Sequence, residues 1–387
     1  MKRVYLDNGS TSFPKAPGVG EAMRRYCEDI GVNIGRGGYE EAYSVADVIL
    51  ETRERLCTLF GFDQPQNVVF TSGITASINM LLKGFLRPGD HVLSSSVEHN
   101  AVMRPLRQLE RAGVEVTLIP CETDGTLCTH MIRECLKPNS KAVVMTHASN
   151  VCGTILPVKE VAKVCQQHGL RLIVDCAQTG GILKINMKEW GIDALAFAGH
   201  KGLLGPQGTG GFIIKDDFAR ELEPLISGGT GSISHLEVVP DFLPDRFESG
   251  TQNLPGLFGL NASLRYLESI GTEEIFRREM ELTQALLQGL RQLEGLRIVG
   301  LPSCEGRVAP VSIDCISRDN AQVAYELERS FGVMTRCGLH CAPTAHKTLG
   351  TYPQGTIRLT PGHKTTMEEI QYALDSIQNA IALCNRI

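Results

Sequence analysis

Short runs that are apolar at nearly every position alternate along the chain with longer stretches that are apolar at every third or fourth position. The runs fall at residues 67–71, 91–95, 114–120, 142–147, 171–175, 194–198 and 210–214. The longer stretches between them cover 75–85, 100–112, 129–136 and 158–168. Runs without polar alternation predict strands buried on both faces, and the helical stretches between them predict parallel crossovers. This is the pattern of an α/β protein. Right-handed crossovers set the C-terminal ends of the strands along one edge, where ligands bind.

Near residue 260 the pattern changes. Residues 260–270 and 273–293 read as long helices, followed by strands at 296–299 and 308–315, a helix at 322–331, a strand at 356–360 and a final helix at 366–383. That density predicts a smaller α+β domain. The glycine-rich stretch Ser227-Gly228-Gly229-Thr230-Gly231 and the loop running on to Asn253 read as mobile or site-forming rather than as a linker.

Composition narrows the class. The 387 residues, 42% apolar and 21% charged, predict two or three well-packed units rather than disorder. With 38 basic against 43 acidic side chains the net charge is -5, so the balance does not point to nucleic acid. No apolar run approaches a bilayer span, and none follows Met1-Lys2-Arg3 as a signal segment would, so we expect no membrane partner and a cytoplasmic protein. The 13 cysteines are scattered, mostly within apolar patterns, and read as core thiols of a reducing compartment.

Polar groups collect at the ends of the strands. Thr71-Ser72-Gly73-Ile74-Thr75 is a small-residue turn that opens a helix, suited to one phosphate or to a plain N-cap. It lacks both the dinucleotide glycine spacing and a Walker lysine. Asp175 ends a buried strand, where a carboxylate needs a cation or donors. Lys201, in Gly199-His200-Lys201-Gly202, ends the next one. Each alone has an ordinary structural reading. Together they propose an aldehyde cofactor: Lys201 as a Schiff-base lysine, Asp175 facing a pyridinium nitrogen, and the 72–75 turn under a phosphate.

The chain resembles the cysteine desulfurase/selenocysteine lyase branch of the class V aminotransferase-like enzymes that use pyridoxal 5'-phosphate (PLP). Beside the turn at 71–75, the matching segments are Val97-Glu98-His99-Asn100, His147 through Thr154, Asp175-Cys176-Ala177-Gln178, Gly199-His200-Lys201, Phe247-Glu248-Ser249-Gly250-Thr251 and Gly338-Leu339-His340-Cys341-Ala342. The resemblance implies a large PLP-binding domain, residues 13–260, around a mainly parallel seven-stranded sheet. Residues 1–12 and 261–387 would form the smaller domain. It further implies that Lys201 holds PLP and moves protons, that Asp175 keeps the ring nitrogen protonated, and that His99 stacks on the ring. Gln178 would bond the phenolic oxygen. Gly73, Ile74, Thr75, His200 and, from a second copy in a homodimer, Thr251 would hold the phosphate. Asn150 would lie by the substrate, and Arg358 would clamp its carboxylate.

The resemblance assigns Cys341 the central chemistry: it takes sulfur from L-cysteine, or selenium from L-selenocysteine, leaving alanine and a persulfide for an acceptor protein. In sequence, Cys341 lies in the polar segment Arg336-Cys337-Gly338-Leu339-His340-Cys341, where a neighbouring histidine can favour thiolate. An incidental loop cysteine is the plain alternative; zinc held by Cys337, His340, Cys341 and His346 has no common spacing, and we expect no metal. Other class V chemistry, such as transamination, and a weakly catalytic sulfur-relay subunit remain as alternatives. The short interval from Cys341 to Arg358 resembles the compact group that includes SUF-type desulfurases and selenocysteine lyases, with little reach for handing sulfur on directly. Three departures stand out: Ala198 where the family commonly has serine, His363-Lys364 where relatives often carry aromatics, and Cys337, read as a bystander or a resolving thiol.

Overall fold

Continuous apolar strands need cover on both faces, and the computed structural model, which describes residues 2–34, 38–233, 235, 237–316 and 318–384, supplies it. In chain order the first strands are β1 (Val4–Tyr5), β2 (Val68–Thr71), β3 (His91–Ser95), β4 (Glu115–Ile119), β5 (Ser140–Thr146), β6 (Arg171–Asp175), β7 (Ala194–Ala198) and β8 (Gly210–Ile214). Strands β2 to β8 form one seven-stranded sheet in the order β2-β8-β7-β6-β5-β3-β4. Pairs β3–β4, β3–β5, β5–β6 and β6–β7 are parallel, and β8 alone runs antiparallel to both its neighbours.

Alternation along each strand serves two cores. Val143, Met145, Leu172, Val174, Leu195 and Phe197 pack on one face, while Ala142, Val144, Ile173, Ala194 and Ala196 pack on the other. The ends of β2, β3, β5, β6 and β7 deliver Thr71, Ser95, Thr146, Asp175 and Ala198 to one edge. Lys201 lies just past β7, on the turn back to β8. Gly199 is required there, because a Cβ would stand 2.1 Å from Thr209 Oγ1.

The remaining strands are β9 (Leu296–Val299), β10 (Val311–Cys315), β11 (Val333–Met334), β12 (Arg336–Gly338) and β13 (Thr356–Leu359). Four of them form a sheet in the order β12-β13-β10-β9, and β11 pairs in parallel with β1. A third core holds Val4 and Leu6 together with Leu282, Leu286, Val311, Ile357 and Ile377. The change of core falls along the helix Thr272–Leu290: Ile275 packs with the large sheet, and Leu282 onward with the small one. Arg336 and Arg358 sit directly opposite each other on β12 and β13. No helix among the described residues is long and apolar enough to cross a membrane.

Candidate active site

The β2–α turn behaves as an anion cradle. The helix Ile74–Phe85 begins at Gly73 with no side chain capping it; Thr71 Oγ1 accepts from Gly73 N at 3.2 Å and stops short of the helix. Gly73 O accepts from Ala76 N and Ser77 N, and the N–H groups of Ile74 and Thr75 ahead of them precede the first intrahelical bonds, beside the exposed Ser72 and Thr75. Thr251 is exposed too, and with Thr71 and Ser72 it lines a groove of about 300 Å³.

Asp175 is buried, and its Oδ1 accepts from Ala177 N at 2.9 Å. Burial raises its pKa more than the nearby Lys201 charge lowers it. Lys201 is pushed the other way, down to about 8, chiefly by burial and further by Arg358 and Arg336, with Asp175 opposing. His99 caps the helix Asn100–Arg111, its Nδ1 accepting from Ala101 N at 3.0 Å. Burial, then the charges of Lys201, Arg336 and Arg358, push it down to about 3, so it is neutral and carries its proton on Nε2.

Gln178 donates from Nε2 to Gly9 O at 3.0 Å, which leaves its second amide hydrogen for another acceptor. His200 Nδ1 meets Thr11 Oγ1 at 3.1 Å, and its carbonyl takes Lys15 Nζ at 2.9 Å. Ala198, the last residue of β7, is buried. His363 lies against Tyr266, with ring centroids 6.0 Å apart, and together with Lys364 it lines a cavity of about 40 Å³ that also touches Lys201, Gln178, Glu279 and Thr360.

Arg358 is 2% exposed, and both its terminal nitrogens are hydrogen-bonded. Nη1 donates to Asn150 O at 2.9 Å; Nη2 donates to Asp7 Oδ1 at 2.9 Å and to Ser10 Oγ at 2.8 Å; Nε is buried without a partner. Gly9 is needed beside it, since a Cβ would stand 3.1 Å from Arg358 Cζ and 2.9 Å from Thr360 Oγ1. Asn150 donates to His340 O at 2.9 Å and keeps an unpartnered Oδ1.

The Cys341 loop is pinned and strained. His340 and Cys341 take φ of 48° and 57°, a left-handed pair that costs about 1–3 kcal/mol per residue. Asn100 N donates to Cys341 O at 2.7 Å, and Thr348 Oγ1 donates to Ser96 O at 3.1 Å, which docks the loop on the large sheet. The helix Pro343–Thr348 fills much of the interval to β13. The Cys341 side chain stays exposed.

One expectation about the loop is corrected, and of the two readings of Cys337 the geometry favours the bystander. His340 does not activate the thiol: it is buried, bonded through Nε2 to Thr356 Oγ1 at 2.9 Å, and pushed down to about 2 by burial and Arg358. Arg336 reaches the sulfur instead, with Nη2 3.8 Å from Cys341 Sγ. Cys337 does not face Cys341 as a resolving thiol would. The alternation of β12 sends Arg336 to the site and Cys337 into the small-domain core with Cys315 and Cys384. His346 Nδ1 meets Thr351 Oγ1 at 2.7 Å, and among the described residues no group of three or more His, Cys, Asp or Glu side chains is arranged to hold a metal ion.

Sequence reasoning missed Glu98, Ser10 and Arg336. Glu98 is fully buried, accepts from Thr146 N at 2.9 and 3.0 Å and from Ser95 Oγ, and is pushed up to about 8 by burial. It ties the end of β3 to the end of β5, directly before His99. A carboxylate beside an intended ring-stacking histidine was the available signal.

These residues fit PLP. The uncapped helix start suits a phosphate, and the Asp175 carboxyl, raised by burial in spite of the Lys201 charge, would be balanced by a protonated ring nitrogen. Arg358 Nε and Asn150 Oδ1 are each buried without a partner.

Comparison with known proteins gives the same picture. The class V aminotransferase family model matches residues 4–373. A probable cysteine desulfurase of Methanothermobacter thermautotrophicus is 32% identical, over 97% of this chain and 94% of its own length. One from Pyrococcus abyssi is 30% identical, over 98% and 94%. The apo structure of a cysteine desulfurase from Thermococcus onnurineus superposes with a TM-score of 0.90 at 30% identity, covering 100% of this chain and 95% of the other.

Proposed function

The chain belongs to the class V aminotransferase family of PLP-dependent enzymes, and we propose that it is a cysteine desulfurase carrying sulfur as a persulfide on Cys341. One observation carries the reading: a strained, docked loop presents an exposed cysteine, with a guanidinium at its sulfur, at the site of Lys201, Asp175, His99 and Arg358. A transaminase has no use for that cysteine.

PLP, when bound, supplies an electron sink for the pair released as the substrate Cα–H bond breaks. Lys201, held near 8, takes that proton and returns one to the product. Asp175 balances the ring nitrogen, neutral His99 covers the ring face, and Gln178 offers its free amide hydrogen to the phenolic oxygen. The N–H groups of the 73–75 turn, His200 and Thr251 of a second copy hold the phosphate. Arg358 receives the substrate carboxylate, with Asn150 alongside. Cys341 Sγ attacks the substrate sulfur; the new S–S bond forms as the Cβ–S bond breaks, and the electron pair passes to Cβ. The thiol proton of Cys341 ends on the methyl of alanine, so no external oxidant or reductant is consumed.

A homodimer is supported by the exposed apolar side chains Tyr39, Tyr43, Leu50, Leu225, Ile226 and Phe242, and by a groove of about 760 Å³ lined by Ile34, Tyr39, Thr230 and Thr251. The 13 unpaired thiols suit a reducing cytoplasm. A loop pinned this firmly favours delivery to a dedicated acceptor protein or to a small molecule. The test is alanine formation from L-cysteine and from L-selenocysteine, with wild type and Cys341→Ala side by side. Loss of cysteine turnover on substitution is expected. A strong selenocysteine preference that survives the substitution would rename the enzyme a selenocysteine lyase, and alanine from neither substrate with PLP bound would restore the transaminase reading.

A further inference from the structure

Two guanidinium groups meet at one hydroxyl. Arg336 and Arg358 are a directly opposed cross-strand pair, an arrangement in which like charges repel. Ser10 Oγ accepts from Arg336 Nη1 at 2.8 Å and from Arg358 Nη2 at 2.8 Å, and donates to Asp7 Oδ1 at 2.7 Å. Both lone pairs and the single proton of the hydroxyl are therefore used. Asp7 is the carboxylate bonded to this group, through Arg358 Nη2. At the far end, Arg336 Nη2 donates to Cys341 Sγ. A continuous chain of contacts thus runs from the carboxylate site to the sulfur: Arg358, Ser10, Arg336, Cys341.

Both hydrogens of Arg358 Nη2 are committed, to Asp7 and to Ser10, while its Nε–H is free. A carboxylate that binds through Nε and Nη2 together must take one of those two hydrogens. The hydroxyl, being the neutral acceptor, is the weaker competitor. Released from Arg358, Ser10 Oγ keeps its bonds to Arg336 Nη1 and Asp7 Oδ1, and Arg336 is free to move with it relative to the sulfur.

We propose that Ser10 is a positioning residue that couples the substrate-carboxylate site at Arg358 to the Cys341 thiol through Arg336. The proposal rests on the reading of Arg358 as carboxylate clamp. Coupling of this kind needs an element with two arrangements, which the shared hydroxyl provides. Without it the two arginines would be coupled only through the repulsion of their charges.

The experiment measures the rate of Cys341 alkylation by iodoacetamide in the PLP-loaded enzyme, read by mass spectrometry, with saturating L-alanine or saturating ethylamine. Both amines occupy the cofactor, and only the first carries a carboxylate. In wild type, L-alanine slows alkylation at least about fivefold relative to ethylamine, the lower end of ordinary coupling between sites. In Ser10→Ala that ratio falls to within about twofold of one, and Ser10→Thr, which keeps the hydroxyl, restores it. Arg336→Gln breaks the same chain at its next link and must also abolish the difference, so it carries the test should Ser10→Ala fail to fold. A ratio near one in wild type, or an undiminished ratio in Ser10→Ala or in Arg336→Gln, overturns the proposal. Alanine formation from L-cysteine on the same wild-type preparation separates the two readings: coupling without alanine would sink the desulfurase assignment alone, and alanine without coupling would sink this one alone.

Discussion

Replacing Lys201 with methionine in the cofactor-free protein is expected to stabilise the fold while ending its chemistry. Methionine keeps the apolar stem and removes the amine, which burial in the site holds near 8 instead of 10.5. That difference corresponds to about 3 kcal/mol at 1.36 kcal/mol per pH unit. The sign follows from which state binds the proton more tightly. Below pH 8 the amine is charged in both states and the folded protein bears the whole burial cost; above pH 10.5 it is neutral in both and the cost is gone. At pH 7 Lys201→Met should therefore gain about 3 kcal/mol, shrinking to about 1 kcal/mol at pH 10. For a chain of this length the unfolding entropy is roughly 0.8 kcal/mol per kelvin, so the gain at pH 7 reads as a rise in Tm of about 4 °C. Thermal melts of both apoproteins from pH 7 to pH 10 decide it. Equal midpoints at pH 7, or a gap that does not close with rising pH, would refute the claim that this lysine is held out of its preferred protonation state by the fold.

Two further outcomes test the frame around the site. Arg53 and Glu248 form a buried pair at 2.7 Å that joins the helix Glu40–Phe60 to the segment leading to Thr251, so Arg53→Met should cost about 3–5 kcal/mol, a fall of roughly 4–6 °C in Tm. Adding Glu248→Leu should recover only part of that, because Phe70 N loses its acceptor at 2.6 Å; full recovery or no initial loss would contradict the assignment. Cys337→Ser should leave alanine formation unchanged, with all enzyme-bound sulfur on Cys341 by mass spectrometry, and sulfur trapped on residue 337 in wild type would restore the resolving-thiol reading.

The inner strands of the large sheet were legible because burial on both faces leaves a mark in their sequence: β3, β6, β7 and β8 have the predicted bounds residue for residue, while the edge strand β4 is largely half-buried. Asp175 and Lys201 were legible for the same reason, as ionisable groups at the ends of strands with no room for them. The helix Glu40–Phe60 was not predicted, although Val45, Ile49, Thr52, Leu56 and Phe60 form its buried stripe. Two of its buried positions are Thr52 and Arg53, and a stripe that includes an arginine does not read as core until Glu248, far along the chain, is known to pair with it. His340 misled in the opposite direction: adjacency to Cys341 in sequence suggested chemistry, yet φ of 48° and 57° at these two residues turns the imidazole under the loop and the thiol out of it.

That turn of the backbone bears on why the thiol is presented this way at all. A nucleophile on a relaxed loop would have its geometry set by its own rotamers; here the carbonyls of the two left-handed residues are held by Asn150 and Asn100, and Thr348, at the end of the short helix that follows, is fastened to Ser96. Asn100 begins the helix that His99 caps, and Asn150 O accepts from Arg358. The loop is therefore fastened to the residues that would cover the cofactor and bind the substrate, so displacement of either must be felt at Cys341. Strain that costs about a few kcal/mol is sustained by those bonds. The thiol is therefore aimed by Asn100 and Asn150 through the backbone, rather than by its own rotamers alone.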